Sequence, residues 1–69
     1  MSRQERTIEY PNDDSKYIVR FPYDEEINDL LREVRGRYDP DERGWLIRVT
    51  PESVKLMEML ERDYDFEEA

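Results

Sequence analysis

Two segments of this 69-residue chain carry apolar residues at helical spacing, and each follows two short stretches with the alternation of β-strands. In residues 24–35 the apolar side chains recur at i, i+3, i+4 and i+7, which predicts a helix with one narrow apolar stripe. These side chains are Ile27, Leu30, Leu31 and Val34. A helix with such a stripe has to pack on another element, so the pattern limits the fold to layered α and β structure.

Capping residues mark the ends of both predicted helices. Asp24 is a candidate N-cap, and Gly36 is expected to take the left-handed conformation that ends the first helix. The second helix is predicted to begin after Thr50, with Pro51 at its first position, and to run to about residue 63. Its apolar set is broader than the first stripe and comprises Val54, Leu56, Met57, Met59, Leu60 and Tyr64.

Four stretches are predicted as strands in two hairpins, which pair residues 6–10 with 17–21 and residues 37–38 with 45–49. Alternation along the strands assigns their side chains to two faces of the sheet. The face that the helices would cover carries Tyr17, Val19, Phe21, Trp45, Ile47 and Val49. The open face would carry Ile18, Arg20, Leu46 and Arg48.

The predicted fold class is α+β, a two-layer β-β-α-β-β-α arrangement with a small, mainly antiparallel sheet and two helices on one face. A chain of 69 residues, of which 36% are hydrophobic, suits a single small domain over residues 1–69. We expect an ordered core over residues 5–62 and a frayed acidic tail over residues 63–69.

The residue types present argue against catalysis and metal binding. The chain has no cysteine and no histidine, and so lacks a thiolate nucleophile, an imidazole base and the usual zinc ligands. An EF-hand pattern that begins at Asp39 fails at Arg43 and at Thr50, where the calcium loop needs carboxylate ligands. The polar residues 12–14 suit either a turn or a weak divalent-ion site. We expect no enzyme activity, no cofactor and no metal.

Acidic residues dominate the chain, with 19 Asp and Glu against 11 Lys and Arg, and the formal net charge is −8. Along the first helix, Glu25, Asp29 and Glu33 form a row that rises about 6 Å per four residues, near the separation of successive nucleic-acid phosphates. The acidic set predicted to bind a basic, nucleic-acid-handling protein comprises Glu25, Glu26, Asp29, Glu33, Glu58, Asp63 and Asp65. A phage-type DNA-mimic inhibitor of the anti-CRISPR kind fits this size and charge, and a merely solvated face is the alternative.

Arginines and aromatic residues interleave on the strands, a pattern that suits stacking on bases and contact with phosphates. The candidates are Arg20, Arg37, Tyr38, Arg43, Trp45 and Arg48, and core packing is the alternative for Trp45. Residues 17–24 (Tyr-Ile-Val-Arg-Phe-Pro-Tyr-Asp) and 37–47 (Arg-Tyr-Asp-Pro-Asp-Glu-Arg-Gly-Trp-Leu-Ile), within a span of about 17–62, resemble the HARP (HepA-related protein) domain of DNA-annealing helicases. That resemblance implies a module that binds forked or single-stranded DNA through the second-hairpin members of this set.

A third interpretation is a salt-adapted accessory domain or a dimerisation domain. Leu56 and Met59 lie at the margin of the apolar set of the second helix and are candidates for contact with a second copy. No apolar run approaches the length of a membrane span, and the first residues lack the apolar stretch of a signal peptide. We therefore expect a cytoplasmic protein without membrane contact.

Overall fold

The computed structural model describes residues 5–11 and 16–69 and confirms a small α+β fold. In chain order the elements are β1 (Thr7–Glu9), β2 (Lys16–Arg20), α1 (Glu25–Glu33), β3 (Arg37–Asp39), β4 (Gly44–Arg48), α2 (Pro51–Asp63) and β5 (Glu67–Glu68). Most of the turn predicted between the first two strands, including the ion-site alternative at residues 12–14, lies outside the described residues.

The sheet has five strands in the order β3-β4-β2-β1-β5. Its first four strands pair antiparallel, as predicted, while β5 joins β1 in parallel. Opposite Tyr17 of β2 lies Ile47 of β4, and Val19 faces Trp45. Ile18, which faces Leu46, is on the other side, so the register produces the two faces that the alternation predicted.

Both helices pack on one face of this sheet, around a single apolar core. The buried members of that core are Ile8, Tyr17, Val19, Ile27, Leu31, Ile47, Met57, Leu60 and Phe66. Trp45 and Phe21 are half-buried at its margin. Val49 was predicted to face inward, but β4 ends one residue earlier and the Val49 side chain is 38% exposed. The expectation for Val49 is therefore wrong, because the chain turns toward α2 at that point.

The end of α1 differs from the expectation for Gly36. The helix ends at Glu33, and the left-handed residue is Arg35, with φ of 63°. Two backbone hydrogen bonds close this end: the Gly36 N–H donates to the Leu31 carbonyl at 2.8 Å, and the Arg35 N–H donates to the Arg32 carbonyl at 2.9 Å. This is a Schellman motif with arginine at the position where glycine is usual.

The start of α2 is as predicted, and Ser53 takes part in its N-terminal cap as well. Thr50 is the N-cap, and its hydroxyl oxygen accepts a hydrogen bond from the Ser53 N–H at 3.0 Å. In return the Ser53 hydroxyl oxygen accepts from the Thr50 N–H at 2.8 Å, which completes a capping box. Ser53 is fully buried and also donates to the Arg48 carbonyl at 2.7 Å, so this cap ties α2 to the end of β4.

The C-terminal segment is docked against the sheet, in contrast to the expectation of fraying. Phe66 is 4% exposed and belongs to the core. The Glu67 N–H donates to the Arg6 carbonyl at 2.9 Å, and the Ala69 N–H donates to the Ile8 carbonyl at 2.8 Å. A buried ring and a parallel strand pair therefore hold residues that looked like a solvated acidic tail.

Candidate interaction surfaces

The acidic set lies on the helical layer and is exposed throughout. Its members are Glu25, Glu26, Asp29, Glu33, Glu58, Asp63 and Asp65. The structure joins part of this set at one corner of the molecule, where the Tyr64 hydroxyl donates to Glu26 Oε2 at 2.7 Å and so brings the end of α2 to the start of α1. Glu58 lies apart from that corner, since its charge acts on Tyr17 at the β2 side of α2.

Four of these seven carboxylates are engaged within the fold: Glu26, Asp29, Asp63 and Asp65. Asp29 accepts a hydrogen bond from Arg32 Nη1 at 3.0 Å, in an ion pair whose side chains are 65% and 62% exposed. Within the described part of the chain, Glu25 and Glu33 have neither a hydrogen bond nor an ion pair through their side chains. The row along α1 therefore presents two free carboxylates around a partly neutralised one.

Three tyrosines next to carboxylates of the helices have raised pKa values. The Tyr10 hydroxyl donates to Glu61 Oε2 at 2.7 Å, and its pKa is raised well above the ordinary value by burial and by this hydrogen bond. Burial, together with the charges of Glu58 and Glu61, also raises the pKa of Tyr17. The hydrogen bond to Glu26 is the main cause of the raised pKa of Tyr64. The Tyr10 and Tyr64 phenols act as hydrogen-bond donors that hold carboxylates in place.

The arginine and aromatic set predicted to contact DNA is divided between different surroundings. Arg20 is engaged within the fold, since its Nη1 donates to Glu9 Oε1 at 3.0 Å and its Nη2 donates to Glu42 Oε1 at 3.3 Å. Arg37 and Arg48 lie on the open side of the sheet. The remaining members, Tyr38, Arg43 and Trp45, line a pocket on the helix side.

That pocket, called the aromatic pocket below, has a volume of about 350 Å³. Its lining residues are Val19, Phe21, Tyr23, Asn28, Tyr38, Arg43, Gly44 and Trp45. Trp45 is held in place by two neighbours. The Tyr38 ring packs edge-on against it, with the two ring centroids 6.2 Å apart, and the Arg32 guanidinium lies 5.8 Å from the Trp45 ring centroid. Trp45 therefore serves mainly in packing, and Tyr38, which is 56% exposed, is the more accessible ring.

On the open side of the sheet, the structure brings Arg37 and Arg48 together with two cations that sequence reasoning missed. A concavity of about 850 Å³, called the basic groove below, is lined by the cations Lys16, Arg35, Arg37 and Arg48. Leu46 and Val34 are its apolar lining residues, and Glu33 and Glu52 are its acidic ones. Strand alternation alone would have placed Lys16 beside Arg20 on this face, whereas Arg35 enters only because α1 ends in a left-handed residue.

The candidates for a second-copy contact are both half-buried. Leu56 packs at the margin of the core, and Met59 has a similar intermediate exposure. Within residues 5–11 and 16–69, no group of three His, Cys, Asp or Glu side chains is placed to hold a metal ion. The helices of this described part are too short and too polar to cross a bilayer.

No protein-family model, curated protein or solved structure matches this chain. The resemblance to the HARP domain therefore stays a prediction from the residues.

Proposed function

We propose that this protein is a small, non-catalytic interaction module that binds a basic, nucleic-acid-handling protein through its acidic helical layer. The observation that carries this proposal is the segregation of charge. The acidic set is exposed on the helices and the segment after them, whereas cations without a side-chain partner among the described residues line a groove on the open side of the sheet, which only Glu33 of the acidic set borders. Segregation of this kind orients a partner of opposite charge and raises its association rate.

The row on α1 is the part of the layer best suited to such contact. Glu25 and Glu33 are free to accept charge-assisted hydrogen bonds from lysine or arginine. The Asp29–Arg32 pair is exposed, so its contribution to stability is small and the carboxylate can exchange partners at little cost. A basic channel that normally holds a nucleic-acid backbone is the partner surface with the matching spacing.

A stand-alone DNA-binding module, the alternative that the HARP resemblance implies, has less support from the geometry. Of its candidate residues, Arg20 already pairs with Glu9 and Glu42. Stacking by Tyr38 and phosphate contact by Arg48 would have to occur on opposite sides of the sheet. The exposed acidic helices also repel a long polyanion.

The test is a variant that neutralises the row: Glu25→Gln, Asp29→Asn and Glu33→Gln. Proteins captured from a lysate on the immobilised wild-type chain and released by duplex DNA supply the partner, whose dissociation constant is then measured by biolayer interferometry. We expect about tenfold weaker binding by this variant, because three exposed charge pairs at roughly 0.5 kcal/mol each amount to one decade.

The matched control removes three carboxylates outside the acidic set: Asp41→Asn, Glu67→Gln and Glu68→Gln. Both variants lose the same formal charge. A difference between their dissociation constants therefore reflects the position of the charges and not the net charge of the protein. The control should bind within about twofold of wild type, as expected for charges outside the contact. Equal loss in both variants, unchanged binding by the helix variant, or capture that duplex DNA does not release would contradict the proposal.

A further inference from the structure

The basic groove concentrates positive charge that the fold itself does not use. The side chains of Lys16, Arg35, Arg37 and Arg48 have no hydrogen bond and no ion pair within the described part of the chain. This occurs in a chain that carries 19 carboxylates and could readily have supplied partners. By contrast, Arg20 on the same face forms ion pairs with two carboxylates, Glu9 and Glu42.

The arrangement of cations in the groove is unfavourable in the absence of a ligand. Lys16 lies directly opposite Arg48 in the β2–β4 pair, and like charges at facing positions of antiparallel strands repel. Arg35 adds a further cation from the end of α1, where its left-handed conformation belongs to the Schellman motif. A bound anion would relieve the repulsion between Lys16 and Arg48.

The lining of the groove selects the kind of anion. Guanidinium groups bind phosphate oxygens in bidentate pairs, and four cations match a ligand with three or four negative charges. Glu33 and Glu52 in the lining, with the net charge of −8, penalise each further phosphate that extends beyond the groove. The aromatic pocket lies on the other side of the sheet, and the lining of the groove over the described residues contains no aromatic ring that could stack on an attached base.

We propose that the basic groove binds a short phosphate chain, such as inorganic triphosphate or the triphosphate of a nucleotide. The groove borders the end of α1 at Glu33, but its ligand would be held by the four cations, so this site does not depend on the function proposed for the acidic layer. The ligand would be held by its charge and its phosphate oxygens, with Leu46 and Val34 as apolar lining residues.

Isothermal titration calorimetry on the full chain at about 20 mM salt, where screening is weak, tests this site with three probes. They are inorganic triphosphate, adenosine triphosphate and a twelve-nucleotide oligothymidine. We expect the two triphosphates to bind with similar affinity and the oligonucleotide to bind more weakly. Binding of the oligonucleotide alone, binding of the nucleotide but not inorganic triphosphate, or no binding of any probe overturns the proposal.

The variant Arg37→Gln with Arg48→Gln should bind inorganic triphosphate at least about tenfold more weakly, since two charge-assisted contacts are lost. Its control, Arg43→Gln with Lys55→Gln, removes the same charge outside the groove and should stay within about twofold of wild type. Unchanged binding by the groove variant, or equal loss in the control, overturns the proposal.

Arg35→Gly separates binding from folding. Glycine takes the left-handed conformation without strain, so this variant should resist urea better than wild type while binding inorganic triphosphate several-fold more weakly. Because the variant is expected to gain stability, unfolding cannot account for a loss of binding. Wild-type affinity in this variant overturns the proposal.

Discussion

Arg35 and Gly36 divide between them two roles that a single glycine often fills at the end of a helix. Arg35 takes the left-handed conformation, and Gly36, whose φ is not positive, provides space. A Cβ on Gly36 would lie 3.0 Å from the Leu31 carbonyl oxygen and 3.1 Å from Ile47 Cγ1. The carbonyl cannot move away, because it accepts the hydrogen bond of the Gly36 N–H. Glycine is needed at position 36 because the Leu31 carbonyl and the Ile47 side chain lie too close to leave room for a Cβ.

These two residues should respond in opposite directions to substitution. Arg35→Gly is expected to raise the free energy of unfolding by about 0.5–1 kcal/mol, the relief of left-handed strain less the extra backbone entropy of glycine. Gly36→Ala is expected to lower it by about 1–2 kcal/mol through overpacking against the Leu31 carbonyl. Urea unfolding followed by Trp45 fluorescence measures both, and a stabilising Gly36→Ala would refute this division of roles.

At the scale of elements, the C-terminal segment is the least expected part of the fold. Arg6 organises it: the Arg6 Nη1 donates to the Tyr64 carbonyl at 2.8 Å, and its guanidinium lies 5.9 Å from the Phe66 ring centroid. Phe66 in turn meets Phe21 edge-on at 5.9 Å. One aromatic residue in an acidic stretch thus anchors a strand, because its burial outweighs the solvation of the charges around it.

Phe66→Ala should therefore destabilise the protein by about 3–4 kcal/mol, as expected for truncation of a core aromatic residue. The control Glu68→Ala changes an exposed side chain and should stay within about 0.5 kcal/mol. Hydrogen exchange gives a second measurement, since the amides of Glu67 and Ala69 donate to β1 and should be protected. Exchange of both amides at the rate of an unstructured peptide would show that the segment frays.

Across the whole molecule, tyrosine hydroxyls join α2 to the segment after β1 and to α1. Tyr10 bonds Glu61 of α2 and packs edge-on against Tyr17 at 5.3 Å, while Tyr64 bonds Glu26 of α1. In each hydrogen bond the phenol must keep its proton. The raised pKa values of Tyr10, Tyr17 and Tyr64 therefore couple the stability of the fold to alkaline pH.

The sign of this coupling follows from the raised pKa values. Below about pH 10 the tyrosines are protonated in both the folded and the unfolded chain, so their contribution to stability is fully present. Above about pH 10 the unfolded chain loses these protons while the folded chain retains them, and the free energy of unfolding falls as pH rises. Urea unfolding between pH 7 and pH 11 should show this decline.

Tyr10→Phe isolates the main contributor. The variant loses the hydrogen bond to Glu61, so it should be about 1 kcal/mol less stable at neutral pH and should lose less stability above about pH 10. Tyr23→Phe is the control, because that side chain is 82% exposed and its hydroxyl has no partner among the described residues. A Tyr10→Phe variant with the same alkaline decline as wild type would contradict this account.

The limits of sequence reasoning fall at particular residues. The N-caps Asp24 and Thr50 were predictable because capping uses the side chain of a residue beside the helix it stabilises. Ser53 was not singled out, since a capping box usually has Glu or Gln at that position. Among candidate site residues, the exposed carboxylates of α1 follow from its apolar stripe, but the engagement of Arg20 by Glu9 and Glu42 depends on strand pairing.

Local patterns in the sequence were enough to predict the α+β class, the two amphipathic helices, the faces of the central strands and the acidic character of the helical layer. These follow from periodicity and capping, which act between residues close along the chain. The docking of Phe66, the left-handed Arg35 and the gathering of four cations in the basic groove became visible in the three-dimensional fold. Each depends on contacts between segments distant in the chain or on the backbone path between elements, and local patterns carry little information about either.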